Sequence, residues 1–338
     1  MSIVPVAGAQ AQPRLTVIHN FGGGADGANP QATLVADGFG ALYGTTASGG
    51  AHNRGTVFKI VRALVDGAWT ATILHDFTGQ NDGAFPDARL LLDGSGNLYG
   101  TTSGGGAARS GVAFELSRNR HGQWIETVLH AFGSGQDDAA FPEHGLVMDS
   151  AGVLYGSGLG GHFGFGAVFK LVGGGGGWTE TTLHSFDLFD GYRPNDVLLD
   201  GSGSLFATTK FGAGSGSRGV AFSLTPAPGG GWTETTIHPF TGSQDGDAPL
   251  SGLLLGRGGA LFGTTSLGGN FGWGTVFELK PAGGGTWTEV LLHAFSGGAD
   301  GSQPQAGDHR RSEWCVVWND FRRWRFRFRS CIQTDTPA

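Results

Sequence analysis

The sequence predicts an all-β, β-propeller-like array of repeated four-stranded units, and three observations carry that expectation. An LH-x-F element or a close variant returns at His19, His75, His130, His184, His238 and His293, with spacings of 56, 55, 54, 54 and 55 residues. Such a period marks a repeat architecture in which each unit is one supersecondary module. Runs of β-branched and aromatic residues are short, alternate with period two and are punctuated by a large share of the 65 glycines. That is the pattern of strands and turns, and helical spacing is absent. Finally, a meander of about 55 residues cannot bury both of its faces alone, so consecutive copies must stack.

Each copy runs in the same order through an Asp-Gly turn, a proline, an apolar run, LYGTT or a variant, a Gly-rich stretch, GTVF-K/E-L and a Trp-Thr-Glu-Thr segment. In the second copy the strands are expected at Leu90 to Leu92, Leu98 to Thr102, Val112 to Leu116 and Trp124 to Phe132. The fourth reads as one uninterrupted alternation. Trp124, Glu126, Val128, His130 and Phe132 lie on one face, and Ile125, Thr127, Leu129 and Ala131 on the other. Asp93 to Gly96 reads as a tight turn needing positive φ or an Asx bond. Gly100 is expected where backbones approach closely near the array axis. Radial stacking of four-stranded sheets is the propeller solution, with a β-solenoid as the alternative architecture.

Residues 14–305 form the repeat domain, with five complete blades. The chain opens on a lone fourth strand, Leu15 to Phe21, and the first three strands of an incomplete sixth blade are expected at the other end. Pairing them would close the ring and remove exposed edges. Residues 306–338 break the repeat, and the genetic code suggests why. Read one base later, Trp314, Trp318 and Trp324 become glycine, Asp308 to Asp320 can read IIGGANGVLYGTT, and Arg329 to Thr334 can read GAVFKL. The register agrees, since proline to tyrosine is 13 residues from Pro30 to Tyr43, from Pro86 to Tyr99, and from Pro304 to position 317. The tail is therefore read as frameshifted and non-native. Residues 1–13 read as a leader, with Ala7-Gly8-Ala9 resembling the remnant of a signal-peptidase site.

Charge narrows the function classes. Residues 1–305 carry 24 acidic against 14 basic residues, and the four lysines Lys59, Lys170, Lys210 and Lys280 lie far apart. Such a surface has no stripe to neutralise phosphates, which argues against nucleic acid as a partner. No apolar run reaches the roughly 20 residues of a membrane-spanning helix. Both cysteines, Cys315 and Cys331, fall in the tail, so the array has neither disulfides nor thiolate metal sites and is compatible with an oxidising exterior.

The combination of LH-x-F, DG-x-x-P, D-x-x-G-x-LYGTT, GTVF-x-L and W-T-E-T over residues 15–305 resembles the GloVer-type tandem repeat of bacterial choice-of-anchor proteins. The resemblance implies a secreted or surface-attached repeat protein, and it carries over no catalytic residue and no ligand. No anchor is recognisable in this chain.

Candidate chemistry lies in what recurs and in what breaks the repeat. One histidine per copy suggests packing rather than a metal site, because symmetry spreads equivalent positions apart while zinc needs converging ligands. Asp26, Asp82, Asp137, Asp190, Asp245 and Asp300 recur in a Gly-rich loop before a proline, and are the candidates for binding an ion such as Ca2+. No other cofactor is expected. The breaks are Glu143 with His144, Tyr192 with Arg193, and Lys210 after its Thr-Thr pair. None makes a catalytic constellation, and no GxSxG, Walker or HExxH motif is present. The expectation is a non-enzymatic extracellular or cell-surface scaffold that binds polysaccharide or cell-envelope components. The alternatives are a purely structural surface protein and a propeller-type polysaccharide-active enzyme.

Overall fold

A computed structural model describes residues 16–212 and 218–304, together with the backbone of 314–316 and 328–330. It contains five antiparallel sheets that follow the histidine period. The first joins β1 (Val35–Ala36), β2 (Leu42–Thr46), β3 (Thr56–Arg62) and β4 (Trp69–Asp76) in that order. The second joins β5 (Leu91–Leu92), β6 (Leu98–Thr102), β7 (Val112–Arg118) and β8 (Trp124–Ala131). The third comprises β9 (Ala139–Ala140), β10 (Val147–Met148), β11 (Leu154–Gly160), β12 (Ala167–Gly174) and β13 (Gly177–Ser185). The fourth comprises β14 (Tyr192–Pro194), β15 (Leu198–Leu199), β16 (Leu205–Phe211), β17 (Val220–Pro226) and β18 (Trp232–Pro239). The fifth comprises β19 (Asp247–Pro249), β20 (Leu254–Leu255), β21 (Leu261–Leu267), β22 (Thr275–Gly283) and β23 (Thr286–Ala294). Two short strands, β24 (Trp314–Val316) and β25 (Phe328–Ser330), pair with each other. The expected leader and the rest of residues 306–338, read above as frameshifted, lie outside the described residues.

Each sheet buries its faces against its chain neighbours, as a propeller-like array requires. The repeated Phe after the histidine is fully buried and meets the Phe of the next sheet's third strand. Ring centroids are 5.2 Å apart for Phe77 and Phe114, 4.8 Å for Phe132 and Phe169, 5.0 Å for Phe186 and Phe222, and 5.0 Å for Phe240 and Phe277. Residues 16–21 form no strand, contrary to expectation, because no third strand of a preceding blade pairs with them among the described residues. Phe21 nonetheless sits 4.8 Å from Phe58, the same contact in the first sheet. Hydrogen bonds also cross between sheets. Thr45, Thr101, Ser157 and Thr208 each donate a hydroxyl proton to a carbonyl of the following copy, at Ala88, His144, Asn195 and Ser251.

Two local expectations need correction. The alternation across Trp124 to Phe132 is broken by a β-bulge: Ala113 pairs with His130 but Phe114 with Val128, leaving Leu129 as the extra residue. A bulge shifts side chains by one position. Trp124, Val128 and Ala131 therefore pack toward the first sheet, while Leu129 and Phe132 pack toward the third, so His130 and Phe132 do not share a face with Trp124. Every sheet carries this bulge at the same place. Gly100, second, makes room for side chains rather than backbone. A Cβ there would lie 2.6 Å from Phe114 Cζ and 2.9 Å from Leu90 Cδ2.

The DGSG turn forms as expected, with Gly96 at φ +86° and the Asp93 carboxylate accepting from Ser95 and Asn97 amides at 2.8 Å. Antiparallel connections place these turns and the β3–β4 type hairpins at one end of every sheet. The Gly-rich and proline-containing loops lie at the other.

Candidate functional site

The recurring acids lie at the loop end, each against the histidine of its own copy. His Nε2 to Asp distances are 3.7 Å (His19–Asp26), 3.6 Å (His75–Asp82), 3.0 Å (His130–Asp138), 2.8 Å (His184–Asp190), 3.4 Å (His238–Asp245) and 3.1 Å (His293–Asp300). Sequence reading chose Asp137 in the third loop, but the structure puts Asp138 there and gives Asp137 to His162 at 2.6 Å. The cause is one extra residue between His130 and its acid, so the spacing of seven residues that holds in four other copies lands on Asp137. The carboxylates also close their own loops. Asp82 accepts from the Thr78 amide at 2.8 Å and its hydroxyl at 2.6 Å, and Asp26, Asp138, Asp245 and Asp300 each accept the corresponding amide four residues earlier. Among the described residues no group of three or more His, Cys, Asp or Glu side chains could hold a metal ion.

The glutamate of the Trp-Thr-Glu-Thr segment faces this pair from the next sheet, which the sequence did not disclose. Burial, with Asp82 adding to it, pushes the Glu126 carboxyl up to about 7, and burial beside Asp138 does the same for Glu180. Burial also raises Glu234 and Glu289, and it lowers His75 and His238 despite their aspartates. Desolvation disfavours whichever form is charged. The signal was in the motif; its burial depends on a loop 42 to 44 residues away.

A second feature of the loop end is more selective. The residue before each repeat proline holds a left-handed backbone: Asn29 (φ 55°), Phe85 (59°), Phe141 (47°), Arg193 (58°), Ala248 (52°) and Gln303 (48°). Non-glycine residues rarely adopt this, least of all before proline, where sterics favour extended backbone. From the second copy on, the mould comes from the preceding copy, whereas Asn29 takes the same backbone with no preceding copy among the described residues. In those later copies the residue's amide donates to a loop carbonyl of the copy before, as Phe85 does to Arg54 (2.8 Å), Arg193 to Phe165 (2.8 Å) and Gln303 to Trp273 (2.7 Å). The proline ring lies over a glycine: a Cβ on Gly166 would sit 2.4 Å from Pro194 Cδ. The backbone is thus the same in six copies while the side chain differs in each.

The breaks in the repeat gather at one of these corners. Arg193 Nη2 lies 3.2 Å from Glu143 Oε2 of the preceding copy. Tyr192 stacks on Phe211 with centroids 5.0 Å apart and planes 29° off parallel, and Phe165 meets Tyr192 edge-on at 6.0 Å. Lys210 Nζ stands 5.3 Å over the Phe211 ring. His144 is tied in through its carbonyl, which accepts the Thr101 hydroxyl at 2.9 Å. Sequence reading found Glu143, Tyr192, Arg193 and Lys210 but missed Phe165 and Phe211, which comparing the residue before each third-strand glycine and the second residue after each Thr-Thr pair would have exposed. The patch offers aromatic faces edged by a guanidinium, an ammonium and a carboxylate. Aromatic faces are apolar and electron-rich, suited to C–H groups of a ring, while the charged edge suits hydroxyls. Glu143 is engaged by the Arg193 guanidinium.

A family model described as the Gloeobacter/Verrucomicrobia repeat matches residues 7–158 and 144–314. No curated protein matches the chain. Among solved structures, a puromycin hydrolase S511A mutant complexed with PGG aligns at 12% identity and a TM-score of 0.54, covering 80% of this chain and 40% of that one. PorZ, a surface component of the type-IX secretion system of Porphyromonas gingivalis, aligns at 14% identity and a TM-score of 0.48 over 76% of this chain. This chain spans 34% of the length of PorZ. A PL25 ulvan lyase aligns at 10% identity and a TM-score of 0.45, covering 78% of this chain and 72% of that one. At these identities the likeness is one of fold.

Proposed function

Because the chain belongs to the Gloeobacter/Verrucomicrobia repeat family, whose shared positions here serve shape, we propose that its function lies where the copies differ: it is a non-enzymatic binding and adhesion scaffold of the cell exterior, with polysaccharide as its ligand. The carrying observation is the loop-end rim. Six left-handed backbone corners are alike and their side chains are not, and the strongest departures form one patch of Phe165, Tyr192, Arg193, Glu143, Phe211 and Lys210. Strained corners kept in every copy with unlike side chains fit display, since such backbone is retained where the surrounding fold over-determines it. An acidic array with no cysteine in residues 1–305 suits an exposed, oxidising location.

The test is retention of the full chain on immobilised cell-wall and algal polysaccharides. Saturable retention that drops at least about tenfold in Tyr192→Ala and Phe211→Ala, each removing one stacking face, is expected. Absence of retention on any polysaccharide would favour the purely structural role. Turnover of a polysaccharide, lost in Glu143→Gln, would instead make the protein an enzyme.

A further inference from the structure

A second aromatic loop stands at the loop end of the fifth copy. The third copy reads His162-Phe163-Gly164-Phe165-Gly166 and the fifth Asn270-Phe271-Gly272-Trp273-Gly274, where the first, second and fourth copies place Arg54, Ser110 and Arg218 before the last glycine. The two aromatic loops fold alike. Phe165 bridges to Gly160 and Trp273 to Gly268, Gly164 and Gly272 turn at φ 78° and 79°, and the Phe165 and Trp273 carbonyls accept the Arg193 and Gln303 amides at 2.8 and 2.7 Å. Phe163 and Phe271 stand at the tips, 53% and 60% exposed.

The fifth loop is distinguished by how its tryptophan is seated. A Cβ on Gly297 would lie 2.6 Å from Trp273 Nε1 and 2.8 Å from both Cδ1 and Cε2. Near-equal distances to a nitrogen and its two ring neighbours put the glycine under the face of the indole, not beyond its edge. The same slot holds Arg54 over Gly79, Ser110 over Gly133 and Arg218 over Gly242, so closing the loop requires no aromatic ring. With that face covered, Trp273 is still 42% exposed, which leaves its opposite face and rim to solvent. The polar side chains of this loop and of the corner before Pro304 are the amides of Asn270 and Gln303, both exposed. Asp300, the carboxylate of the supporting loop, is turned to the Ser296 amide and hydroxyl and to His293.

A pyranose matches these groups in kind. Its C–H face packs on an open indole, and its hydroxyls both donate and accept, as side-chain amides do. Recurrence selects a polymer: two loops of one backbone, in alternate copies at the same end, suit a ligand whose own units repeat, whereas a lone small molecule would use one. We propose that Trp273, with Phe271, Asn270 and Gln303, is a second sugar subsite, which takes an uncharged pyranose of the polysaccharide held at Tyr192 and Phe211. This subsite rests on the polysaccharide reading and narrows it to ligands with uncharged units.

The experiment is retention of the full chain on immobilised cellulose, laminarin and galactomannan, which are uncharged, and on alginate, a polyuronate. Saturable retention on at least one uncharged polymer is expected, and Trp273→Ala should lower it at least about fivefold. Trp273→Phe keeps a flat ring and should hold most of it. A second readout separates contact from folding: cellohexaose, laminarihexaose or mannohexaose, matched to the retaining polymer, should change the parent's tryptophan emission and leave that of Trp273→Phe unchanged. Retention that falls in Tyr192→Ala but stands in Trp273→Ala overturns the second subsite and leaves the first. An emission change that persists in Trp273→Phe overturns it as well. Retention on alginate alone overturns the subsite while leaving the polysaccharide reading, and retention on no polysaccharide at all overturns both.

Discussion

At the scale of single residues, most polar groups that recur serve the joints between copies, and Glu180 shows how. Burial among the His130–Asp138 pair pushes its carboxyl from 4.5 to about 7. Between those values the folded chain keeps a proton that the unfolded chain has released, so stability falls as pH rises through that window and is fully retained below it. Burial alone would raise Asp138, but the His130 bond and the Ser134 amide outweigh it and hold that group below 3.8, outside the window. Glu180→Gln should therefore match the parent's unfolding free energy from chemical denaturation at pH 5 and exceed it at pH 8, by on the order of 1 kcal/mol once solvent screening of a half-buried group is allowed for. An equal difference at both pH values would show that shape, not charge, matters there. The aspartates lead to a separate expectation. Since Asp82 and Asp138 spend both oxygens on protein donors, adding a calcium chelator should leave the melting midpoint where it was. A midpoint that dropped with chelator and returned with Ca2+ would restore them as ion ligands.

At the scale of the element, the sequence disclosed the strands but not how their faces turn. Strand positions followed from β-branched runs and from glycine, and the second sheet forms within two residues of its expected limits. The bulge at Leu129 was illegible because one extra residue in a strand leaves the pattern of apolar residues intact while moving half of them to the other side. The left-handed corner before proline was hidden too, since proline normally argues for extended backbone before it. At Arg193 the preceding copy, through Gly166 and the Phe165 carbonyl, braces the departure from that preference. The corner suggests a direct trade between stability and display. Arg193→Gly should relieve strain and raise stability by about 1 kcal/mol, read from chemical denaturation, yet weaken polysaccharide retention by removing the guanidinium beside Tyr192. A variant that lost both stability and retention would mean that the Arg193–Glu143 contact holds the two copies together.

At the scale of the whole molecule, the five sheets are coupled in chain order, and that order sets how damage should spread. Thr101 donates its hydroxyl to the His144 carbonyl at 2.9 Å, and Thr45, Ser157 and Thr208 repeat the bond at the other joints. Replacing the hydroxyl by a methyl keeps the shape and leaves a buried carbonyl unpaired, at a cost of about 1–3 kcal/mol. In a nearest-neighbour array, each joint's contribution is nearly independent of distant joints. Thr45→Val and Thr208→Val join different pairs of sheets, so their effects on denaturant midpoint should add to within about 0.5 kcal/mol. Thr45→Val with Thr101→Val, which weaken both joints of the second sheet, should instead deviate from additivity, because that sheet then has no intact partner on either side. Additivity in both double variants would mean that each sheet is stable without its neighbours. That outcome would contradict the premise on which the display of unlike side chains rests, namely that one copy shapes the corner of the next.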